Sequence, residues 1–140
     1  MNLKKEVNVG TLWRSAYIYG ASFIFSTDHR YRKQASDTTK TYKHVPYYEY
    51  DDNNQFLSTY PYDCPMVGIE LGNELDSISL PKFFHPERAI YVLGAEDGGI
   101  PKEVLAKCQY HIYIPSVREI CLNVAMAGTL VMYDRYSKEK

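Results

Sequence analysis

Residues 65–72 read Pro-Met-Val-Gly-Ile-Glu-Leu-Gly, a short apolar run between a proline and a glycine. A run of this length with these boundaries predicts a buried β-strand over residues 66–71. Residues 21–26, 89–93 and 110–114 repeat the pattern and are predicted to be strands as well. Strands that are apolar along their whole length are typical of parallel sheets covered on both faces, so the sequence predicts an α/β fold with a mostly parallel sheet.

Helical segments alternate with these strands. Residues 9–19 carry apolar side chains at helical spacing, with Asn8 as a candidate N-cap and Gly20 as a residue that can end the helix in a left-handed conformation. The other predicted helices cover residues 51–60, capped by Asp51, residues 101–107 and residues 122–136. No linker or repeat interrupts this alternation, so residues 1–140 are expected to form one domain with helices flanking the sheet.

The composition is typical of a soluble globular protein. Of the 140 residues 45% are hydrophobic, and 16 Lys and Arg face 17 Asp and Glu, which argues against nucleic-acid binding through the whole surface. No apolar run of about 18 residues occurs, and none follows Lys4 and Lys5, so neither a transmembrane helix nor a signal peptide is expected and a cytoplasmic protein is predicted. Cys64, Cys108 and Cys121 lack metal-binding spacing, and reduced thiols without a disulfide or zinc site are the simplest interpretation.

The charges are unevenly distributed along the chain. Residues 1–44 hold eight Lys or Arg and three acids, whereas residues 45–80 hold seven acids and neither Lys nor Arg. The basic segment from His29 to His44 interleaves cations with tyrosines, a mixture suited to RNA phosphates and exposed bases. An ordinary solvated loop explains the same charges. The candidate RNA-binding residues are Arg30, Arg32, Lys33, Lys40 and Lys43.

Ligands of open parallel sheets bind beyond the carboxyl ends of the strands, so the loops after the predicted strands are the places to search. Residues 94–100, Gly-Ala-Glu-Asp-Gly-Gly-Ile, contain three glycines that permit close backbone approach, although an ordinary turn needs the same residue types. The other candidate loops are residues 70–73 and 114–123. Neither GxxxxGK(S/T) nor GxGxxG occurs, so the signatures of nucleoside triphosphate and dinucleotide binding are missing.

Residues 8–16 read Asn-Val-Gly-Thr-Leu-Trp-Arg-Ser-Ala, residues 93–100 read Leu-Gly-Ala-Glu-Asp-Gly-Gly-Ile, and Ile114-Pro115 is followed by Cys-Leu-Asn-Val-Ala-Met-Ala-Gly over residues 121–128. In this order and at these separations the three segments resemble the motifs of the SpoU/TrmH family of SPOUT RNA methyltransferases. The resemblance covers essentially the whole chain. It implies an α/β knot with a C-terminal trefoil knot, S-adenosylmethionine bound at the knot, and a homodimer with the active site near the subunit interface.

The same resemblance implies a function. Members of the family transfer the methyl group of S-adenosylmethionine to a ribose 2′-hydroxyl of tRNA or rRNA, and no metal is required. Catalytic roles fall on Arg14, Asn8, Glu96 and Asn123, with Arg14 as the cation that holds a phosphate beside the target and stabilises the developing alkoxide. The implied cofactor-binding residues are Glu70, Leu71, Leu93, Gly94, Ala95, Gly98, Ile114, Pro115, Cys121, Leu122 and Ala127.

Simpler roles stay open for several of these residues. Helix capping is sufficient to explain Asn8 and Asn123, and a turn is sufficient to explain Glu96. The third motif usually has serine where this chain has Cys121. Only seven residues precede Asn8, so the strand that leads into the first motif of the family is expected to be shortened here. A catalytically silent knot protein that binds RNA or S-adenosylmethionine without turnover is the alternative function.

Overall fold

The computed structural model describes residues 6–27, 41–61, 63–71, 76–94, 99–118 and 120–139, with side chains from Val9 onward. Its helices are α1 (Glu6–Ile18), α2 (Asn53–Thr59), α3 (Lys102–Leu105) and α4 (Val124–Lys138). Its strands are β1 (Ile24–Thr27), β2 (Tyr47–Tyr50), β3 (Met66–Glu70), β4 (Ile78–Ser79), β5 (Ile90–Leu93) and β6 (Tyr110–Tyr113). Short 3-10 helices cover Thr41–Lys43 and Leu80–Lys82. Within these ranges no helix combines the length and the apolar character needed to cross a membrane.

The predicted helices and strands are all present, with ends that differ by a few residues. The sequence prediction misses β2 and β4. The reason is that β2 reads Tyr-Tyr-Glu-Tyr and is partly exposed, so it has no continuous apolar run, while β4 has only two residues. The shortened strand expected before Asn8 falls on residues 1–5, which lie outside the described residues.

All strand pairs in the described part of the chain are parallel. β1 pairs with β2, and β4, β6, β3 and β5 form a four-stranded sheet in that order. Val67 of the central strand β3 lies opposite Tyr91 of β5 and Tyr110 of β6. The predicted α/β fold with a mostly parallel sheet flanked by helices is confirmed, and the knot stays a prediction.

The sheet has an apolar layer on each side. Val67 of β3 belongs to one buried cluster, together with Leu12 of α1 and Val131 of α4. The preceding residue of the same strand, Met66, belongs to a second cluster that includes Phe56 of α2. Because successive side chains of a strand point to opposite faces, a strand between two apolar layers must be apolar throughout. This explains the uninterrupted apolar runs of the sequence.

The structure confirms the predicted end of α1 at Gly20 and contradicts its predicted N-cap. Gly20 has a φ of +75°, and the Ala21 N–H donates to the carbonyl oxygen of Ala16 at 2.8 Å, so the helix ends in the left-handed motif that the glycine predicts. At the other end α1 begins at Glu6, so Asn8 lies inside the helix and its assignment as the N-cap is wrong. An acidic residue is favourable in the first turn of a helix, which lets α1 start at Glu6.

The cap of α2 is also displaced from its predicted position, by one residue. Asp52 Oδ1 accepts a hydrogen bond from the Gln55 N–H at 2.8 Å, and Gln55 Oε1 accepts one from the Asp51 N–H at 2.6 Å. Asp52 is therefore the N-cap, and the assignment of Asp51 is wrong. Two adjacent aspartates fit the sequence pattern equally well, and only this register closes both bonds with Gln55.

The C-terminal half of α4 is tied to residues 80–91. Arg135 donates to two backbone carbonyl oxygens of this segment, at 2.8 and 2.5 Å, and to Tyr91 Oη at 3.0 Å. Lys138 Nζ donates to two more of its carbonyl oxygens, at 2.7 and 2.9 Å. These bonds satisfy backbone oxygens that no strand pairs, and they fix the direction in which α4 leaves the sheet.

His85 forms the buried centre of this attachment, with a side chain only 3% exposed. Its Nε2 lies 2.8 Å from Asp134 Oδ2, and its Nδ1 lies 2.7 Å from Tyr91 Oη. Since a carboxylate only accepts, Nε2 carries the proton and the Tyr91 hydroxyl donates to Nδ1. This arrangement suits a neutral imidazole. Burial, the largest influence, lowers the pKa of His85 below its ordinary value of 6.5.

Acid is therefore expected to weaken the fold through His85. The unfolded chain takes up a proton on this residue more readily than the folded chain, so the stabilisation is fully present above pH 6.5 and is lost as the pH falls through the lowered pKa. Urea unfolding at a series of pH values measures this free energy. The variant H85Q does not titrate and should show a flatter profile below pH 6.5. Identical profiles for the two proteins would contradict the assignment.

Candidate functional site

A cleft of about 280 Å³ lies at the carboxyl ends of β3 and β5, the edge of a parallel sheet at which ligands bind. Residues that follow β6 and the first turn of α4 complete its walls. The predicted cofactor-binding residues that line it are Glu70, Leu71, Leu93, Gly94, Ile114, Cys121, Leu122 and Ala127. The fold thus brings together residues from the three loops singled out in the sequence.

Three predicted cofactor-binding residues are not among the described residues of this wall. Pro115 is exposed and does not line the cleft. Ala95 and Gly98 lie outside the described residues, as does the predicted catalytic residue Glu96. Their assignment stays a prediction.

The cleft also has lining residues that the sequence prediction misses, namely Ile69, Gly99, Ser116, Ile120 and Val124. Each lies next to, or in the same loop as, a predicted residue. These residues could have been predicted from their position in the sequence, because residues next to a predicted wall residue tend to line the wall as well.

Gly94 and Gly99 form the base of the cleft, where two backbone segments touch. A Cβ atom at residue 94 would lie 2.3 Å from the carbonyl carbon of Gly99 and 2.6 Å from the Ile100 nitrogen. Gly99 itself has a φ of +66°, a conformation that side chains disfavour. The two ends of the glycine-rich loop thus meet, and this contact requires glycine at residue 94 for steric reasons.

The described lining of the cleft combines apolar walls with the carboxylate of Glu70. Leu71, Ile120 and Leu122 are apolar side chains that remain 46%, 70% and 41% exposed. The half-buried Glu70 lies at the end of β3, and its Oε2 is close to Gly99, 3.7 Å from where a Cβ would stand. Such a site suits a ligand with a flat apolar part and hydroxyl groups that donate to a carboxylate.

Asn123 lies at the rim of the cleft, between the wall residues Leu122 and Val124. Its Oδ1 accepts hydrogen bonds from the N–H groups of Ala125 at 2.9 Å and Met126 at 3.3 Å, so it is the N-cap of α4. Capping is thus an observed role of this residue. A catalytic role of Asn123 stays a prediction.

Arg14 is exposed on α1, and α1 contributes no residue to the cleft wall in the described part of the chain. The inward face of the same helix carries Leu12 and packs closely against α4, where a Cβ at Gly128 would lie 2.5 Å from Leu12 Cδ1. The side chain of Asn8 lies outside the described atoms. Arg14 is thus not among the described residues that line the cleft.

An exposed patch with a cation and two stacked rings lies one helical turn from Arg14. Tyr17, one helical turn further along α1, stacks on His44 with ring centroids 4.7 Å apart and an angle of 20° between the rings. Lys43 precedes His44 and is exposed. Of the other predicted RNA-binding residues, Arg30, Arg32, Lys33 and Lys40 lie outside the described residues. Lys43 is the one that can be placed, and it lies beside an exposed aromatic stack.

The three cysteines are free thiols in different surroundings. Cys121 is exposed at the cleft, whereas Cys64 and Cys108 are buried. Burial raises the pKa of Cys108 to about 11, so this thiol stays protonated at neutral pH. Among the residues that the structure describes, no three His, Cys, Asp or Glu side chains are grouped so as to hold a metal ion.

Comparison with known proteins adds three solved structures of similar fold. The chain superposes on the AdoMet-bound rRNA methyltransferase from Sinorhizobium meliloti with a TM-score of 0.82 at 19% identity, over 98% of this chain and 54% of that one. For the TrmH/SpoU tRNA modifying enzyme from A. aeolicus the TM-score is 0.82 at 19% identity, over 99% and 72%. A protein solved to study the 2-OH methylation of C/U34 on tRNA gives 0.76 at 21% identity, over 98% and 88%.

The chain spans little more than half the length of the Sinorhizobium meliloti enzyme. No curated protein sequence matches it significantly. The model of the SpoU rRNA methylase family, however, matches residues 1–133, which include all three sequence motifs. The resemblance inferred from those motifs is thereby confirmed, and the chain belongs to the SpoU rRNA methylase family.

Proposed function

We propose that the protein is an RNA methyltransferase that uses S-adenosylmethionine and methylates a ribose 2′-hydroxyl of tRNA or rRNA in the cytoplasm. The observation that carries the proposal is the cleft at the carboxyl ends of β3 and β5, where most of the cofactor-binding residues implied by the motifs meet. Membership of the SpoU family and the AdoMet bound to the Sinorhizobium meliloti protein support the cofactor. The proposal includes the C-terminal trefoil knot of the family.

The residues of the cleft fit S-adenosylmethionine. At Gly94 the backbone packs directly on Gly99 and leaves no room for a side chain, and Glu70 can accept hydrogen bonds from ribose hydroxyls. Ile114 and Leu122 would pack on the adenine. When bound, the cofactor supplies a methyl group on a positively charged sulfur, and the chain's own residues must orient it and exclude water.

We also propose that the active enzyme is a homodimer in which Arg14 of one copy serves the cleft of the other. Arg14 is not among the described residues that line its own cleft, and in the proposed dimer the arginine that the mechanism needs is supplied across the interface. A suitable surface exists beside it: Met126, Leu130 and Tyr133 lie at helical spacing on α4 and are exposed, and so is Ile18 of α1. A C2 dimer uses one such surface twice.

Arg14 is proposed to act as a fixed cation. A guanidinium stays protonated in proteins, so it cannot take the proton of the ribose hydroxyl as a base. It can instead bind the phosphate next to the target and stabilise the negative charge that develops on the ribose oxygen. The proton then passes to a neighbouring acceptor, for which the RNA phosphate is the candidate.

Labelled S-adenosylmethionine and total RNA test the proposed function. After incubation with the purified protein, the RNA is digested to nucleosides, and label is expected in 2′-O-methylated nucleosides. Label in a base-methylated nucleoside would contradict the ribose as the target. Cofactor binding without transfer to any RNA would support the alternative, a catalytically silent member of the family. Sedimentation at micromolar concentration tests the dimer in parallel.

The basic segment is expected to provide much of the RNA affinity. Lys43, beside the stacked rings on α1, is exposed, and each phosphate contact that is removed should reduce the slope of log affinity against log salt by roughly 0.7 to 0.9. The variant K43Q should therefore flatten this slope, and the triple variant R30Q/R32Q/K33Q should flatten it further. The matched control is K107Q, an exposed lysine just after α3. Equal slopes for all variants would make the segment an ordinary solvated loop.

A further inference from the structure

Two aromatic rings are stacked on the exposed side of α1. The rings of Tyr17 and His44, called the ring pair below, lie with their centroids 4.7 Å apart and at an angle of 20° to each other. Tyr17 remains 44% exposed, and His44 is exposed as well. The contact between the rings occupies one face of each, so a further flat group can extend the stack on an outer face. The ring pair is therefore open to a planar ligand.

The ring pair is held in place by contacts that do not depend on the stack itself. Val45, which follows His44, is buried, and its carbonyl oxygen accepts a hydrogen bond from Trp13 Nε1 of α1 at 2.7 Å. The N–H groups of His44 and Val45 donate to the carbonyl oxygen of Thr41 at 2.9 and 3.0 Å. These bonds fix the turn that carries His44 against α1. A ligand that stacks on the rings meets a preformed surface and loses little affinity to ordering of the protein.

The charges beside the ring pair are positive. Tyr17 lies one helical turn beyond Arg14, a spacing that places two side chains on the same face with Cβ atoms about 5–6 Å apart. Lys43, in the turn that carries the second ring, is exposed. Residues 9–18 and 41–46 contain these two cations and neither Asp nor Glu. Exposed rings with cations beside them suit single-stranded nucleic acid, because the rings stack on bases and the cations contact phosphates.

We propose that the ring pair holds an unpaired base of the substrate RNA, next to the nucleotide that is methylated. A base inside a double helix has both faces covered by its neighbours and cannot extend the stack, whereas a base of a loop can. With Arg14 on the phosphate beside the target ribose, a ring one helical turn away reaches an adjacent nucleotide of the same strand. The substrate is therefore a single-stranded segment of RNA. This inference rests on the proposed function and narrows its substrate.

The fluorescence of 2-aminopurine tests the ring pair directly. The probe is an oligouridine of about twelve nucleotides with one central 2-aminopurine, a base whose fluorescence is quenched when it stacks on an aromatic ring. The wild-type chain should quench the probe on binding. The variant Y17A should lose the quenching and bind the probe about tenfold more weakly, because one ring of the stack is missing. The variant Y17F keeps the ring and should behave like the wild type.

The salt dependence of binding separates stacking from charge. The ring of Tyr17 neutralises no phosphate, so Y17A should keep the wild-type slope of log affinity against log salt, whereas K43Q should flatten it. Tyr110 provides the matched control, since it is 40% exposed and begins β6, at the end of the sheet opposite the cleft. The variant Y110A should leave quenching and affinity unchanged. The probe paired with its complementary strand should bind equally to the wild type and to Y17A.

The binding experiment needs neither S-adenosylmethionine nor turnover, so its outcome is independent of whether methyl transfer occurs. Quenching that persists in Y17A would show that another group holds the base and would overturn the proposal. Absence of quenching with the wild type would overturn it as well. Loss of the dimer in Y17A, measured by sedimentation, would assign the ring pair to the interface between copies instead. In each of these cases, methyl transfer by the wild type would leave the proposed function standing.

Discussion

Replacing Arg14 with alanine (R14A) is expected to reduce methyl transfer to RNA by roughly a thousandfold, the cost of removing a group that stabilises a developing oxyanion. The affinity for S-adenosylhomocysteine should stay within a few fold, because Arg14 is not among the described residues that line the cleft. Calorimetry and a methyl-transfer assay on the same preparation separate the two effects. Full activity of R14A would remove this residue from the mechanism.

Mixed dimers test from which copy Arg14 acts. The variant L122R blocks the cleft with a charged side chain at an exposed position and keeps Arg14. A dimer of one R14A chain and one L122R chain, isolated through two different affinity tags, should regain about half of the wild-type activity, since one of its two sites is complete. An inactive mixed dimer would place Arg14 and the cleft of the same chain in one site.

The second large effect is expected at Gly94. In G94A the new methyl group would lie 2.3 Å from the carbonyl carbon of Gly99, so the two backbone segments must separate. Such overpacking costs about 1–3 kcal/mol of unfolding free energy. Because the backbone at Gly94 and Gly99 is displaced, the affinity of the protein for the cofactor should fall by about tenfold or more. Urea unfolding measures the first quantity and calorimetry with S-adenosylhomocysteine measures the second.

Gly20, which has open space where a side chain would stand, provides the control for G94A. Gly20 also has a positive φ, but no atom lies within 4 Å of where its Cβ would stand. The variant G20A should therefore lose only about 1 kcal/mol through backbone strain, with no change in cofactor affinity. Equal loss of affinity in both variants would mean that general destabilisation, rather than the contact at Gly99, explains G94A.

The sequence predicted most of the sheet because the physics of a buried strand is local. A strand between two apolar layers needs apolar residues on both faces. The run that contains Met66 and Val67 meets this requirement, and it can be recognised in the sequence alone. The edge strand β2 has no such requirement: Tyr47 and its neighbours are partly exposed and pair with one strand only. Its position depends on pairing with β1, which is not encoded in a local pattern.

The candidate site was predictable in its members and not in its arrangement. The family resemblance implied Glu70, Gly94 and Leu122, and the parallel topology explains why these residues meet at one edge. The sequence could not show that Arg14 is exposed and does not line the cleft with them, because that depends on which face of α1 packs against α4. It also could not distinguish the N-cap of α1, since Asn8 and Glu6 are both favourable near a helix start.

The packing of α1 against α4 has a consequence for synthesis on the ribosome. Ser15 and Thr129, whose hydroxyls lie 2.7 Å apart, are separated by 114 positions in the chain. The apolar face of α1 therefore emerges before its partner and stays uncovered until the 114 positions up to Thr129 have been translated. Contacts of such long range fold slowly, and exposed apolar surface in nascent chains is prone to aggregation. We infer that the nascent chain depends on chaperones until residues 124–138 have left the exit tunnel.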